Sequence, residues 1–229
     1  MIRKTFLSLV CIILLVLFVT GCNNETNTSV SNQQNVSSDL YGEANDDVEN
    51  LVEKLKNSGY TITVTDYENW NKKSNFFELE TFYEIDLKTN IGYIHEETID
   101  YRGHRYATNE DTYLDFNNDI EYSIYKGWSD WKKKKYLDSI DHYLMTEYFD
   151  DYDYIKKGNV FYGRYEKYGD YFIIEIHLND DGFIDYYIDY TADENLQKDS
   201  DSVIHKCTYS YSDKTITIPQ EAIDEAEWN

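Results

Sequence analysis

The sequence predicts an α+β domain, an antiparallel β-sheet carrying an N-terminal helix and a helical insertion. Three observations lead there. From Tyr60 to Ile218 apolar residues recur mostly at every second position, the period of a strand with one face buried. Short polar turns such as Lys88-Thr89-Asn90, Arg102-Gly103-His104 and Asn179-Asp180-Asp181-Gly182 separate the runs, and only antiparallel neighbours can be joined by so short a connection. Two segments alone, 46–56 and 136–149, carry helical spacing.

Ahead of the domain, Arg3 and Lys4 precede an apolar run, 5–19, that ends in Val19-Thr20-Gly21-Cys22. A positive end, a segment that enters the translocon and small residues at the cut are the parts of a secretory signal. The run is short for a spanning helix, which needs about 20 apolar residues. The cysteine directly after the small residues resembles the bacterial lipoprotein signal with its lipobox. That resemblance implies removal of 1–21 and diacylation of Cys22 as the new N-terminus. The protein is then expected to be anchored to the cell membrane on its extracytoplasmic face. Two acyl chains meet the requirement for stable attachment, at about 0.8 kcal/mol per buried methylene. Residues 23–39, built of Asn, Ser, Thr, Gln and Val without an aromatic residue, extend this to a tether over 22–40. Such a coil of about 18 residues reaches on the order of 25 Å. A single domain is expected over 41–221, followed by an acidic C-terminal tail, 222–229.

Charge and cysteine usage narrow the function classes. Without Arg3 and Lys4 the 21 basic residues become 19, against 44 acidic ones, and the formal charge moves from -23 to -25. A chain so acidic repels nucleic acid and anionic headgroups, so nucleic acid is not an expected partner. Its Tyr-rich, Pro-poor composition points to an AT-rich genome and a Gram-positive source. Cys11 leaves with the signal and Cys22 is consumed by lipidation, so Cys207 stands alone and no intramolecular disulfide is available. Cys207 reads as a small buried strand residue, because His205 two positions away does not by itself supply the low-pKa setting of a nucleophile.

Within the domain, Val48, Leu51, Val52 and Leu55 take helical spacing over 46–56, with acids at the start, lysines near the end and Asn57-Ser58-Gly59 as the stop. Strands follow over 60–65, 77–87, 91–101, 105–116 and 120–128. The pattern then breaks. After Trp131 and Lys132 to Lys135, the residues Leu137, Ile140, Leu144 and Tyr148 fall on one helical face and predict a helix over 136–149. Strands resume over 159–168, 171–178 and 183–190, the last two joined by a tight hairpin at Asn179-Asp180-Asp181-Gly182. In that hairpin Phe172, Ile174, Ile176 and Leu178 face one way, and Ile184, Tyr186, Ile188 and Tyr190 share a face. Strands over 203–211 and 214–218 close the series.

This order of elements, with residues 171–190 (YFIIEIHLNDDGFIDYYIDY) and 216–221 (ITIPQE), resembles the LolA-like and LppX-like lipoprotein fold. The resemblance implies a strongly curved antiparallel sheet, an open half-barrel, with the N-terminal helix and the helical insertion packed against it. It also implies a concave face able to shelter acyl chains, and no catalytic residues.

Sites for chemistry are scarce. Asp115-x-Asn117-x-Asp119 starts like a calcium loop, but Ile120 stands where Gly is needed and Lys126 where a bidentate Glu is needed. Asn179 to Gly182 fails in the same way, and both read as turns. Asp150, Asp151 and Asp153, beside Tyr152 and Tyr154, read as a solvated surface. His95, His104, His142, His177 and His205 show no paired zinc spacing, so no metal or cofactor is assigned from sequence, although a cluster assembled in three dimensions stays open. No phosphate loop, Gly-x-Ser-x-Gly elbow or HExxH is present, and the expectation is a protein that is not an enzyme.

Two functions remain. The first is an anchored lipoprotein binding a lipid or other apolar ligand against its sheet, with Trp128 and Trp131 beside the insertion as the ligand-binding candidates and Trp70 as a further aromatic. It requires a deep apolar cavity. The second is a surface module whose acidic, Tyr-rich face engages an envelope protein or polymer, which requires a filled core and an exposed aromatic patch.

Overall fold

The period-two pattern becomes a sheet of thirteen strands among the described residues. The structure is a computed structural model that describes residues 41–71, 76–100, 102–107, 110–135, 137–195 and 197–229, with side chains at all of these except 69–71, 76 and 198–202. Strands β1 Thr61–Asn71, β2 Phe76–Asp86, β3 Ile91–Ile99, β4 Arg105–Ala107, β5 Glu110–Asp115, β6 Ile120–Tyr125 and β7 Lys132–Lys135 form a first meander. A second contains β8 Asp153–Lys157, β9 Val160–Lys167, β10 Asp170–Leu178, β11 Ile184–Ala192 and β12 Lys198–Ser212. A short β13, Glu227–Trp228, comes last. The spatial order is β13-β7-β6-β5-β3-β2-β1-β12-β11-β10-β9-β8, with β4 beside β3. Neighbours are antiparallel except β13, which runs parallel to β7. The result is a large, curved, unclosed sheet with three helices, an α+β architecture.

Helix α1, Asn45–Lys56, forms where the sequence places it. Asp46 and Asp47 sit in its first turn and Lys54 and Lys56 in its last, each complementing the helix dipole. Val48, Leu51 and Leu55 are buried, and they join Ile62 and Val64 of β1, Ile85 of β2, Leu114 of β5, Ile174 and Ile176 of β10 and Ile184 of β11 in the main core. The edge strand β8 is blunted by the chain just before α1. Gly42 N and Ala44 N both donate to Tyr154 O, and Tyr154 N donates to Asn45 Oδ1 at 2.8 Å, so this stretch of edge offers no free backbone to another chain.

The segment expected as a long helix over 136–149 is instead one helical turn, α2 at Ile140–Tyr143, and a 3-10 turn at Phe149–Asp151. Ser139 caps α2, but Met145 enters the left-handed region at φ 54°, where a helix cannot continue. Thr146 N then turns back to Asp141 O. Leu144 and Phe149 are buried in the main core all the same and Leu137 and Ile140 pack against that core, while Tyr148 is exposed. The apolar spacing was real, but tertiary contacts satisfy it without a helix. Tyr209 OH, which donates to Leu144 O at 2.8 Å, ties this segment to β12.

Other elements shift for identifiable reasons. The four lysines 132–135 form a strand because each has a partner. Lys132 pairs with Glu227 and Lys134 with Glu121, while Lys133 and Lys135 lie over the Trp228 ring. The expected strand 105–116 is divided into β4 and β5, which pair with opposite ends of β3, and residues 108 and 109 fall outside the described ones. Strand β8 has no counterpart in the sequence reading, which placed Asp153 on a solvated surface. Residues 214–218 are not a strand. Thr61 Oγ1 donates to Lys214 O, Ile216 N donates to Asp86 Oδ2, and Lys214 Nζ pairs with Glu84. The acidic end of the chain is built into the sheet through helix α3, Gln220–Glu225, and β13. Ala222 and Ala226 are buried against Tyr122 and Trp131 in a second small core.

A β-bulge corrects the face assignment in the 170–192 hairpin. Leu178 pairs with Ile184 but His177 pairs with Tyr186, so Asp185 is the extra residue. Beyond it the alternation reverses, and Tyr187 and Asp189 take the core face while Tyr186 stacks on His177 outside, 4.2 Å between ring centroids.

Gly163 in β9 marks the closest packing. A Cβ there would lie 2.5 Å from Ile174 Cγ2 and 2.6 Å from Tyr154 Cε1. Gly163→Ala is expected to lower stability by about 1–3 kcal/mol through overpacking, read as a fall in the urea midpoint; an unchanged midpoint would contradict the tight approach of β8, β9 and β10.

Candidate functional site

Where the two meanders meet, the core face turns polar. Alternation along β1 carries Ile62, Val64 and then Asp66 inward, and along β12 it carries His205, Cys207 and Tyr209 to the same face. The register sets Asp66 opposite Cys207 on one side and Tyr187 opposite Cys207 on the other, with Asp189 opposite His205. Five side chains from three adjacent strands therefore converge.

Their contacts are specific. His205 Nε2 pairs with Asp66 Oδ1 and lies 3.7 Å from Cys207 Sγ. Cys207 Sγ is 3.4 Å from Asp66 Oδ1 and 3.3 Å from Tyr187 OH. The other ring nitrogen, His205 Nδ1, is 3.2 Å from Tyr187 OH and 3.8 Å from Asp189 Oδ2. Tyr152 OH donates to Asp189 Oδ1 at 3.5 Å. Asp66 is 1 % exposed, Cys207 0 % and His205 18 % by side chain, so the histidine edge is the side nearest solvent.

Burial dominates the protonation states. It pushes the Asp189 carboxyl above its ordinary range, against the His205 contact that pulls it down. The Cys207 thiol is pushed up to about 12 by burial, which His205 only partly offsets. For His205 burial works downward, but the hydrogen bonds to Asp189 and Asp66 outweigh it and raise the imidazole to about 12. At neutral pH the centre thus holds a neutral thiol beside a protonated histidine. A buried, protonated sulfur is not an activated nucleophile.

The residues singled out from sequence fall elsewhere. Trp131 is 7 % exposed and packs with Tyr113 and Tyr122 in the second core, while Trp128 is 66 % exposed, its ring 5.8 Å from that of Tyr125 on the connection between β6 and β7. The structure therefore separates them, one inside and one outside. Trp70 lies in β1. Cys22 lies outside the described residues. Both calcium-like turns begin with a residue whose Oδ1 accepts from the turn's own backbone. Asp115 Oδ1 accepts from Asn117 N and Asn118 N, and Asn179 Oδ1 accepts from Asp181 N and Phe183 N. Outside the seam, His95, His104, His142 and His177 each sit beside a separate acid, Glu97, Asp100, Glu147 and Glu175.

A cavity of about 360 Å³ opens between α1 and the 139–150 segment. It is bordered by Glu49, Glu53, Lys56, Asp141, Glu147 and Asp150 among others, and its walls are mainly charged. No family model matches the chain, and no curated protein matches it in sequence.

The sequence reading ended its strand at Thr65 and missed the polar seam. The signal that could have found it is an acid at the third inward position of β1, after Ile62 and Val64, which breaks the apolar parity and asks for a buried partner. Which partner answers depends on the β1–β12 register and the β11 bulge, and neither is a local property.

The pKa shifts fix a pH dependence. A histidine raised from about 6.5 to about 12 contributes stability that is whole below pH 6.5 and is lost as pH rises toward the folded value. The raised thiol adds a loss that begins near its ordinary 9.0. The urea midpoint is therefore expected to fall from pH 7 to about pH 10, and His205→Gln should flatten the part of that fall below pH 9. Equal slopes in the two proteins would show that His205 is not held protonated.

Proposed function

We propose that this chain is a non-enzymatic lipoprotein, anchored through diacylated Cys22 on the extracytoplasmic face of a cell membrane, whose domain is an interaction module. The observation that carries the choice between module and carrier is the occupied interior. Helix α1 and the 137–151 segment fill one face of the sheet with Leu51, Leu55, Leu144, Met145 and Phe149, each 6 % exposed or less. The adjoining cavity presents carboxylates, and these would strip an acyl chain of its apolar contacts.

An open half-barrel of the LolA-like and LppX-like kind belongs to the same proposal. The antiparallel order and the seating of α1 support it, with Leu51, Leu55 and Leu144 packed in the core rather than lining a space for acyl chains. Among the described residues no helix is long and apolar enough to cross a membrane, so attachment in this proposal rests on the N-terminal signal. The contact surface is the acidic, tyrosine-bearing exterior, with the exposed Tyr125–Trp128 pair as its aromatic anchor. Exposed Trp and Tyr are the residue types that concentrate binding energy at interfaces. The partner is another envelope protein or an envelope polymer.

Two measurements test this. Cells expressing Cys22→Ala should incorporate no labelled palmitate into the protein and release it from the membrane fraction; retained label would remove the anchor. In pull-downs from cross-linked envelopes, Tyr125→Ala with Trp128→Ala should reduce recovery of the partner at least tenfold, on the order of 1.4 kcal/mol or more. Co-purification of a stoichiometric lipid with the detergent-free domain would instead restore the carrier.

A further inference from the structure

We propose that Asp66, His205 and Cys207 form a binding site for one Zn²⁺ ion at the seam of β1 and β12. This goes beyond the interaction module and does not depend on it. The three donor atoms, a carboxylate oxygen, an imidazole nitrogen and a sulfur, lie within 4.8 Å of one another. Around a tetrahedral zinc with bonds of about 2.0–2.3 Å, neighbouring donors stand about 3.4–3.6 Å apart. Sulfur to nitrogen at 3.7 Å and sulfur to oxygen at 3.4 Å already match that spacing. Only the Asp66–His205 pair has to open, as the hydrogen bond between them gives way to two metal bonds.

The backbone supplies the convergence. His205 and Cys207 are two apart on one strand and so share a face, and the antiparallel register puts Asp66 directly across from Cys207. The mixed donor set of one thiolate, one imidazole and one carboxylate suits zinc better than calcium or magnesium, which take oxygen alone. A further layer is in place. With Nε2 turned to the metal, His205 Nδ1 faces Tyr187 OH and Asp189, the arrangement that fixes the tautomer of a zinc-bound histidine. A water completes four ligands. Binding displaces the thiol proton and the proton shared by Asp66 and His205; both pass to the buffer, and no electrons move. The ion enters from the histidine edge, where His205 and Asp189 retain exposure.

The abundant surface acids bind divalent ions weakly, so the test must read sulfur. The full chain, purified in detergent and stripped with a chelator, is titrated with Co²⁺ as the probe and then with Zn²⁺. The expected result is one equivalent bound, a thiolate-to-cobalt charge-transfer band, displacement by Zn²⁺ and not by excess Ca²⁺, and a rise in Tm with Zn²⁺. Cys207→Ser should abolish the band, and Asp189→Asn should weaken binding roughly 10–100-fold. A folded wild-type chain that shows no such band overturns the site, whether or not the variants fold. A band that persists in Cys207→Ser overturns it equally, as does displacement by Ca²⁺.

Discussion

The pairing of β1 with β12 is the constraint on which the rest of the structure depends. Each meander is a series of near neighbours joined by short turns, and the main core takes its residues from both. The register from Thr61 opposite Ser212 to Tyr67 opposite Lys206 makes them one sheet. It also brings Ile62 and Val64 of the first half against Cys207 and Tyr209 of the second, under α1 and Leu144. This contact spans almost the whole domain, so its loop-closure cost must be met before it can stabilise anything. With Cys207 the one cysteine among the described residues, no disulfide shares that burden.

Local features were legible where local rules decide them. The dipole-matched charges and apolar spacing of 46–56 produced the helix, and Asn179 to Gly182 produced the hairpin. Elsewhere the deciding partner was far away in sequence. Nothing within Lys132 to Lys135 announces a strand; Glu121, Glu227 and Trp228 do. The apolar spacing of 137–148 is that of a helix, yet the left-handed Met145 ends it and Tyr209 holds what remains. The hairpin faces were lost to a single extra residue, Asp185, which no composition rule marks as a bulge. The candidate site combines both cases, since Asp66 is conspicuous at an inward position but its partners are set by register and bulge.

The aromatic content finds its explanation in the same geometry. Tyrosine fills a half-buried sheet face while keeping a hydroxyl that can reach a partner. Tyr209 OH donates to Leu144 O and Tyr211 OH to Ile184 O, so the rings pack inward and their ends fasten the segment after α2 and the start of β11. Burial raises the phenols of Tyr187, Tyr209 and Tyr211, and those of Tyr83 and Tyr152 as well. Every one of them favours the neutral fold, and every one withdraws that support in strong alkali.

A buried polar seam needs a reason, because an apolar replacement of equal volume would stabilise as well or better. Register supplies part of one. A slip of β12 by a single residue along β1 would carry His205 and Cys207 to the opposite face and leave Asp66 buried without its histidine. In a sheet of long, tyrosine-rich strands with few distinctive positions, that penalty separates the native pairing from its neighbours. Register alone, however, asks for no more than one ion pair. It does not call for a sulfur within reach of both members, nor for Tyr187 and Asp189 to hold the far nitrogen of the histidine. Those additional groups are what a metal ion would require of the same seam.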